Sequence, residues 1–250
     1  MTSEDAIPAA TLIAWRDSVD GQDPQILVVQ RSSKMAFAAG AIVFPGGRVD
    51  EADHYIARAL GRPDEAARVT AIRETLEESA VAVGLGGVTD AAHGLMLQAE
   101  LLAGKSFAAL LADHDLTLDL DALTPFARWM PAFKQPRKFD TLFYVARAPD
   151  GDWAPNPQPG ECIAAEWASP AALVGQIADG TTSAIFPTKR NLERLAQFAD
   201  LDALTAHALA HSMDTIIPWV EEIDGEKHVT IPADRGYPIV REPLSTAFRA

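Results

Sequence analysis

A single cysteine, Cys162, stands among 250 residues. A lone thiol excludes an intrachain disulfide and a metal site built from cysteines, and it suits a reducing compartment. Basic residues are also scarce, 21 Lys and Arg against 35 Asp and Glu, for a formal net charge of −14. That balance argues against gripping a nucleic-acid backbone, which needs a basic face. No apolar run approaches the roughly 18 residues of a membrane span, and the start MTSEDAIPAATLIAW is acidic where a signal peptide would be basic. The expectation is a cytoplasmic protein with a small-molecule substrate, no nucleic-acid or membrane partner, and room for a homodimer. Internal repeats are absent as well. The stretch APDGDWAPNPQPGE (148–161) holds four prolines and reads as a loop between two strands rather than a linker between two domains.

What is present is apolar residue, 48% of the chain, enough for one substantial core. One domain over 1–250 is expected, with 200–250 as a C-terminal extension. Apolar, β-rich runs at 10–15, 25–31, 41–44, 139–148 and 161–167 read as strands. Helical periodicity marks 66–83, 92–103, 105–113, 170–178, 188–198 and 200–210. Strands mixed with helices that do not strictly alternate predict an α/β fold, a mixed sheet with helices on both faces. A hairpin over 221–231 is expected to turn at Asp224-Gly225.

The segment TAIRETLEES (70–79) places Glu74, Glu77 and Glu78 on one helical face, where like charges repel. Upstream, FPGGRVDEAD (44–53) follows a short apolar strand, and Gly46-Gly47 permit close backbone approach. A strand, a tight glycine turn and an acidic helix bring carbonyl and carboxylate oxygens together, the donors that Mg²⁺ prefers. A divalent cation, Mg²⁺ or Mn²⁺, is the positive charge that this cluster lacks. An ordinary charged helix face is the competing reading of RETLEES alone, and the FPGG upstream weighs against it.

These residues resemble the Nudix box of Nudix hydrolases, G-x5-E-x7-R-E-U-x-E-E-x-G-U. Gly47 matches its first glycine, and Arg73, Glu74, Glu77 and Glu78 match its R-E-x-x-E-E core. Asp53 stands where the family has glutamate, 19 residues separate it from Arg73 where seven are usual, and the later glycine is Ala80, small enough for close helix contacts. The inserted stretch is expected to form a surface helix or loop before the catalytic helix. The segment LVVQRSSKMAFAAGAIVFPGGRVD (27–50) further resembles coenzyme A and acyl-coenzyme A diphosphatases, through Arg31, Ser32, Gly40 and Asp50. Peroxisomal, kidney-type members of that branch also carry a long insertion inside the box. Basic residues that often precede the glycine in coenzyme A-specific members are replaced here by MAFAA (35–39).

The resemblance implies a Nudix α/β/α sandwich and hydrolysis of a diphosphate linkage, in coenzyme A or acyl-coenzyme A, or alternatively in ADP-ribose or another nucleoside diphosphate derivative. A Nudix-fold nucleotide sensor without catalysis is the alternative of another class, and the intact R-E-x-x-E-E core speaks against it. Glu74, Glu77 and Glu78, with the Gly47 carbonyl, are the implied metal ligands, and Arg73 is placed to orient a carboxylate. Read blandly, Arg73 makes an ordinary helical ion pair worth a few tenths of a kcal/mol. Glu161, at the end of the proline-rich loop, is a candidate further ligand or general base, or a solvated loop carboxylate. Arg31, Gly46 and Arg137 are the candidate substrate contacts, with Lys34 a further cation for a 3′-phosphate. Within KQPRK (134–138), Lys134 and Lys138 equally suit a charged strand edge. Scattered histidines, HALAH (207–211) included, lack the convergent partners of a metal site. Trp129, Trp153, Trp167 and Trp219 default to the core.

Overall fold

The computed structural model describes residues 6–18, 21–35, 38–132 and 138–247. Its central sheet has the order β3-β2-β1-β8-β7, with β4 also on β1 and β9 also on β2. These strands are β1 (Ile7–Arg16), β2 (Gln25–Arg31), β3 (Ile42–Val43), β4 (Gly46–Arg48), β7 (Thr124–Trp129), β8 (Phe139–Arg147) and β9 (Cys162–Ala168), and a small pair, β5 (Leu85–Gly86) with β6 (Thr117–Leu118), stands apart. Only β1 and β8 run parallel among the sheet's pairs, so the sheet is mixed as expected.

Alternation in the two inner strands divides the core. Ala10, Leu12, Ala14 and Leu27 face one side, with α1 (Glu51–Ala59), α2 (Ala66–Ser79), α3 (Ala91–Leu102) and α4 (Phe107–Asp113) packed there. Ile13, Trp15, Ile26 and Val28 face the other, under α5 (Pro170–Asp179), α6 (Phe186–Leu195) and α7 (Leu201–Leu209). That is an α/β/α sandwich. The C-terminal segment adds a three-stranded sheet, β10 (Trp219–Ile223), β11 (Glu226–Thr230) and β12 (Arg241–Pro243), and the short α8 (Leu244–Ala247). Its first hairpin turns where expected, with both Asp224 and Gly225 at positive φ. Val229, Ile231, Tyr237 and Ala247 join the second core.

Several expectations are corrected. The inserted stretch is not only surface: α1 buries Ile56 and Ala57 against α2 and carries Asp53, which is fully buried, in its first turn. The glycine turn is itself a strand, β4, paired with β1 at Gly46–Thr11 and Gly47–Ala10. Strand β7 carries Pro125 and Arg128 and has no clear alternation, so the periodicity misses it. Trp129 and Trp153 are buried, but Trp219 is 43% exposed. Ala80 matters for its backbone rather than its size, since it ends α2 at φ 60°, in the left-handed region where the box has glycine.

Candidate active site

The site forms where β4 passes along α2. Backbone pairing with β1 holds β4 in place, and Gly47 lies against the helix so closely that a Cβ there would stand 2.3 Å from Glu74 Oε1. A side chain at that point would displace the Glu74 carboxylate. Neighbouring Gly46 donates its N–H to Glu78 Oε2 at 3.1 Å. The glycine pair thus meets two of the three box glutamates.

Arg73 is the hub. Its Nε and Nη2 donate to the two oxygens of Asp53 at 2.9 Å each, while its Nη1 donates to Glu74 at 2.8 Å and Glu77 at 3.1 Å, and Nη2 also reaches the Arg48 carbonyl at 3.4 Å. Asp53 is satisfied on every side, accepting also from the Thr70 hydroxyl at 2.8 Å and the Asp50 N–H at 3.0 Å. The bidentate contact expected of Arg73 exists, then, with Asp53 as its partner. Sequence reasoning aligned Asp53 with the family glutamate without assigning it this task, and the aligned position was the one signal available. Burial opposes the charge on Arg73, but its bonds and the fields of Asp53, Glu74 and Glu77 outweigh that and raise its pKa.

Burial pushes the Glu74 carboxyl up to about 7 and Glu78 up to about 8, with repulsion from Glu77 and Glu74 respectively adding to each. Glu77 is raised too, again first by burial. Arg31 Nη1 stands 3.8 Å from Glu78 Oε1, which joins that candidate substrate contact to the cluster. The charge of Glu161 adds weakly to the repulsion at Glu77 and Glu78, which puts this residue of the proline-rich loop within electrostatic range of them. Lys34 is exposed, and its backbone N–H donates to the Ser32 hydroxyl at 3.4 Å. Arg137 and Lys134 lie outside the described residues.

Among the described residues, no three His, Cys, Asp or Glu side chains form a set ready to hold a metal ion. Glu74 and Glu77 are turned to Arg73, and Glu78 to the Gly46 N–H and Arg31. The donor chemistry fits a hard divalent cation all the same: three carboxylates on one helix face, each held short of easy ionisation by burial, beside a backbone stripped of side chains at Gly47.

No protein-family model matches the chain. The human (Homo sapiens) acyl-coenzyme A diphosphatase NUDT19 is 26% identical over 274 residues, which cover 85% of this chain and 72% of that protein. A Nudix hydrolase of known crystal structure from Alicyclobacillus acidocaldarius is 28% identical, with a TM-score of 0.68 over 81% of this chain and 96% of its own. Fold, box residues and both likenesses agree: the chain has the Nudix fold and resembles Nudix hydrolases, the coenzyme A diphosphatase branch among them.

Proposed function

We propose that this protein is a divalent-metal-dependent diphosphatase acting on coenzyme A or acyl-coenzyme A, in the cytoplasm. The observation that carries the reading is the Arg73 hub, which ties the buried Asp53 and the half-buried Glu74 and Glu77 into one array with Glu78 and Arg31 beside it. Glu74, Glu77 and Glu78, with the Gly47 carbonyl, would hold the cation. When bound, Mg²⁺ or Mn²⁺ supplies charge neutralisation at the diphosphate. Arg73 orients Glu74 and Glu77 for that task, while Arg31 offers a positive group at the edge of the cluster. Glu161 takes the proton of the attacking water. Support for the substrate comes from the acyl-coenzyme A diphosphatase activity of the human relative and from the segment around Arg31, Ser32 and Gly40. The apolar MAFAA stretch favours a second reading, a broader nucleoside diphosphate hydrolase that ignores the 3′-phosphate.

Initial rates on coenzyme A, its 3′-dephospho form, acyl-coenzyme A and ADP-ribose, with Mg²⁺ and with chelator, decide between them. Removing the 3′-phosphate is expected to lower kcat/KM about tenfold or more, the worth of one charge-assisted contact. Equal values on both forms select the broader hydrolase. Glu77→Gln and Glu78→Gln are each expected to lose at least about a hundredfold in turnover. Near-normal turnover at saturating Mg²⁺ would remove that residue from the metal set.

A further inference from the structure

The proline-rich segment between β8 and β9 docks on the C-terminal end of α2, and one buried side chain joins the two. Gln98 on α3 is 2% exposed. Its Nε2 donates to the Glu77 carbonyl and to the Asn156 carbonyl, both at 2.9 Å, and its Oε1 accepts from Asn156 Nδ2 at 2.7 Å. The opposite amide orientation would set Oε1 against two carbonyl oxygens, so the contacts determine which way the amide points. Beside this pair, the Asn156 N–H donates to the Ser79 carbonyl at 2.8 Å and the Gln158 N–H to the Glu78 carbonyl at 3.2 Å.

Carbonyls in the last turn of a helix have no onward helical donors. Here the loop and Gln98 supply them, for Glu77, Glu78 and Ser79 in turn. One helical turn before Gln98, a Cβ at Gly94 would lie 2.3 Å from the Ala80 carbonyl, so α3 reaches this close only because that position is glycine. The other end of the same loop is Glu161. Its carbonyl accepts from the Ser32 N–H at 2.7 Å, next to Arg31, and the following Cys162 N–H donates to the Gln158 carbonyl at 3.0 Å. The loop is therefore fastened at one end to the helix that bears the box glutamates and at the other to β2.

We propose that Gln98 is a positioning residue for hydrolysis: through Asn156 it registers the 148–161 loop on α2 and so sets Glu161 opposite Glu77 and Glu78. The proposal rests on the reading of Glu161 as general base or further ligand. Replacing Gln98 by methionine keeps its bulk and removes its three contacts, leaving polar groups unpaired at the joint.

The test is a double-mutant cycle of Gln98→Met with Glu161→Gln, scored by kcat and KM on coenzyme A with Mg²⁺ and by thermal melting. Gln98→Met alone is expected to lower kcat about tenfold with KM within about twofold, and to cost less than about twofold in the Glu161→Gln background, where there is no base left to misplace. Asn156→Ala makes the same test from an exposed position and is expected to reproduce the kcat loss with a smaller drop in melting temperature than Gln98→Met. An equal loss in both backgrounds, a loss confined to KM, or full turnover by Asn156→Ala overturns the proposal. Full turnover by Glu161→Gln instead strikes the Glu161 reading, and the proposal with it. Absence of diphosphate hydrolysis by the wild-type protein strikes the proposed function itself.

Discussion

Asp53, which stands where the Nudix box has glutamate, accepts from Arg73 on both of its oxygens, across 20 residues and with a shorter arm. The missing methylene is made up by the first turn of α1, whose capping box draws Asp53 inward, and by the Thr70 hydroxyl. A guanidinium this buried depends on its carboxylate. Asp53→Asn is expected to destabilise the fold by about 3 kcal/mol, the low end for breaking a buried pair, which at this chain length is a melting drop of about 10 °C. Turnover is expected to fall further than the lost folded fraction explains, because Arg73 also orients Glu74 and Glu77. The raised carboxyls make a second prediction. Glu74 and Glu78 bind protons more tightly folded, at about 7 and 8, than at their ordinary 4.5. The stability this contributes is whole below the ordinary value and is lost as pH rises through the folded values. Metal-free protein is therefore expected to melt lower as pH climbs from about 5 to 8, and Glu78→Gln to flatten that slope. An unchanged slope in the variant would show that Glu78 is not its source.

At the scale of elements, α2 ends under strain. Ala80 holds φ 60° at the C-cap, with its N–H bonded to the Leu76 carbonyl, and an L side chain there costs about 1 kcal/mol relative to glycine. Ala80→Gly, which restores the box residue, is expected to raise the melting temperature by about 2–4 °C, with turnover unchanged or higher. A lower melting temperature would mean that entropy lost from the unfolded chain outweighs the strain. Local pattern read most elements well: β2 was legible over 25–31, and α5 to within a residue at its end. It failed at β4 and β7, where a glycine pair and a proline break the alternation that reports a strand, and where pairing with β1 and β8 supplies the structure instead.

Across the whole molecule, the C-terminal segment decides the fate of α6. FPTKRNLERL is dense in charge, yet Arg190 and Arg194 are each 1% exposed and Glu193 is buried with them. Arg190 bonds Glu193 and Glu242 at 2.8 Å, Lys189 bonds Glu242 at 2.5 Å, and Arg194 donates to the Phe126 carbonyl at 2.8 Å with its guanidinium over the Phe126 and Tyr237 rings. Tyr237 in turn donates to Asn191 at 2.7 Å and accepts from Trp129 at 2.9 Å. Glu242 and Tyr237 come from the extension, so a chain cut after residue 209 would leave the buried Arg190 guanidinium with one of its two carboxylates and part of the second core open. Such a truncation is expected to lose its cooperative melt by circular dichroism. An intact melt would mean that residues 210–250 are a separable addition rather than part of the folding unit.

The sequence by itself determined whatever depends on neighbours along the chain. Spacings of three and four put Glu74, Glu77 and Glu78 on one helix face, the glycine pair marked the backbone that approaches them, and alternation set β1 and β2 between two cores. Tertiary structure alone decided which distant groups meet. Arg73 with Asp53, Gln98 with the Glu77 carbonyl, and Arg190 with Glu242 are pairings across 20, 21 and 52 residues. A charged or amide side chain carries no mark of its partner in its own neighbourhood. Hydropathy assigns it to solvent, and only the packing of other elements around it makes burial and pairing the lower free energy.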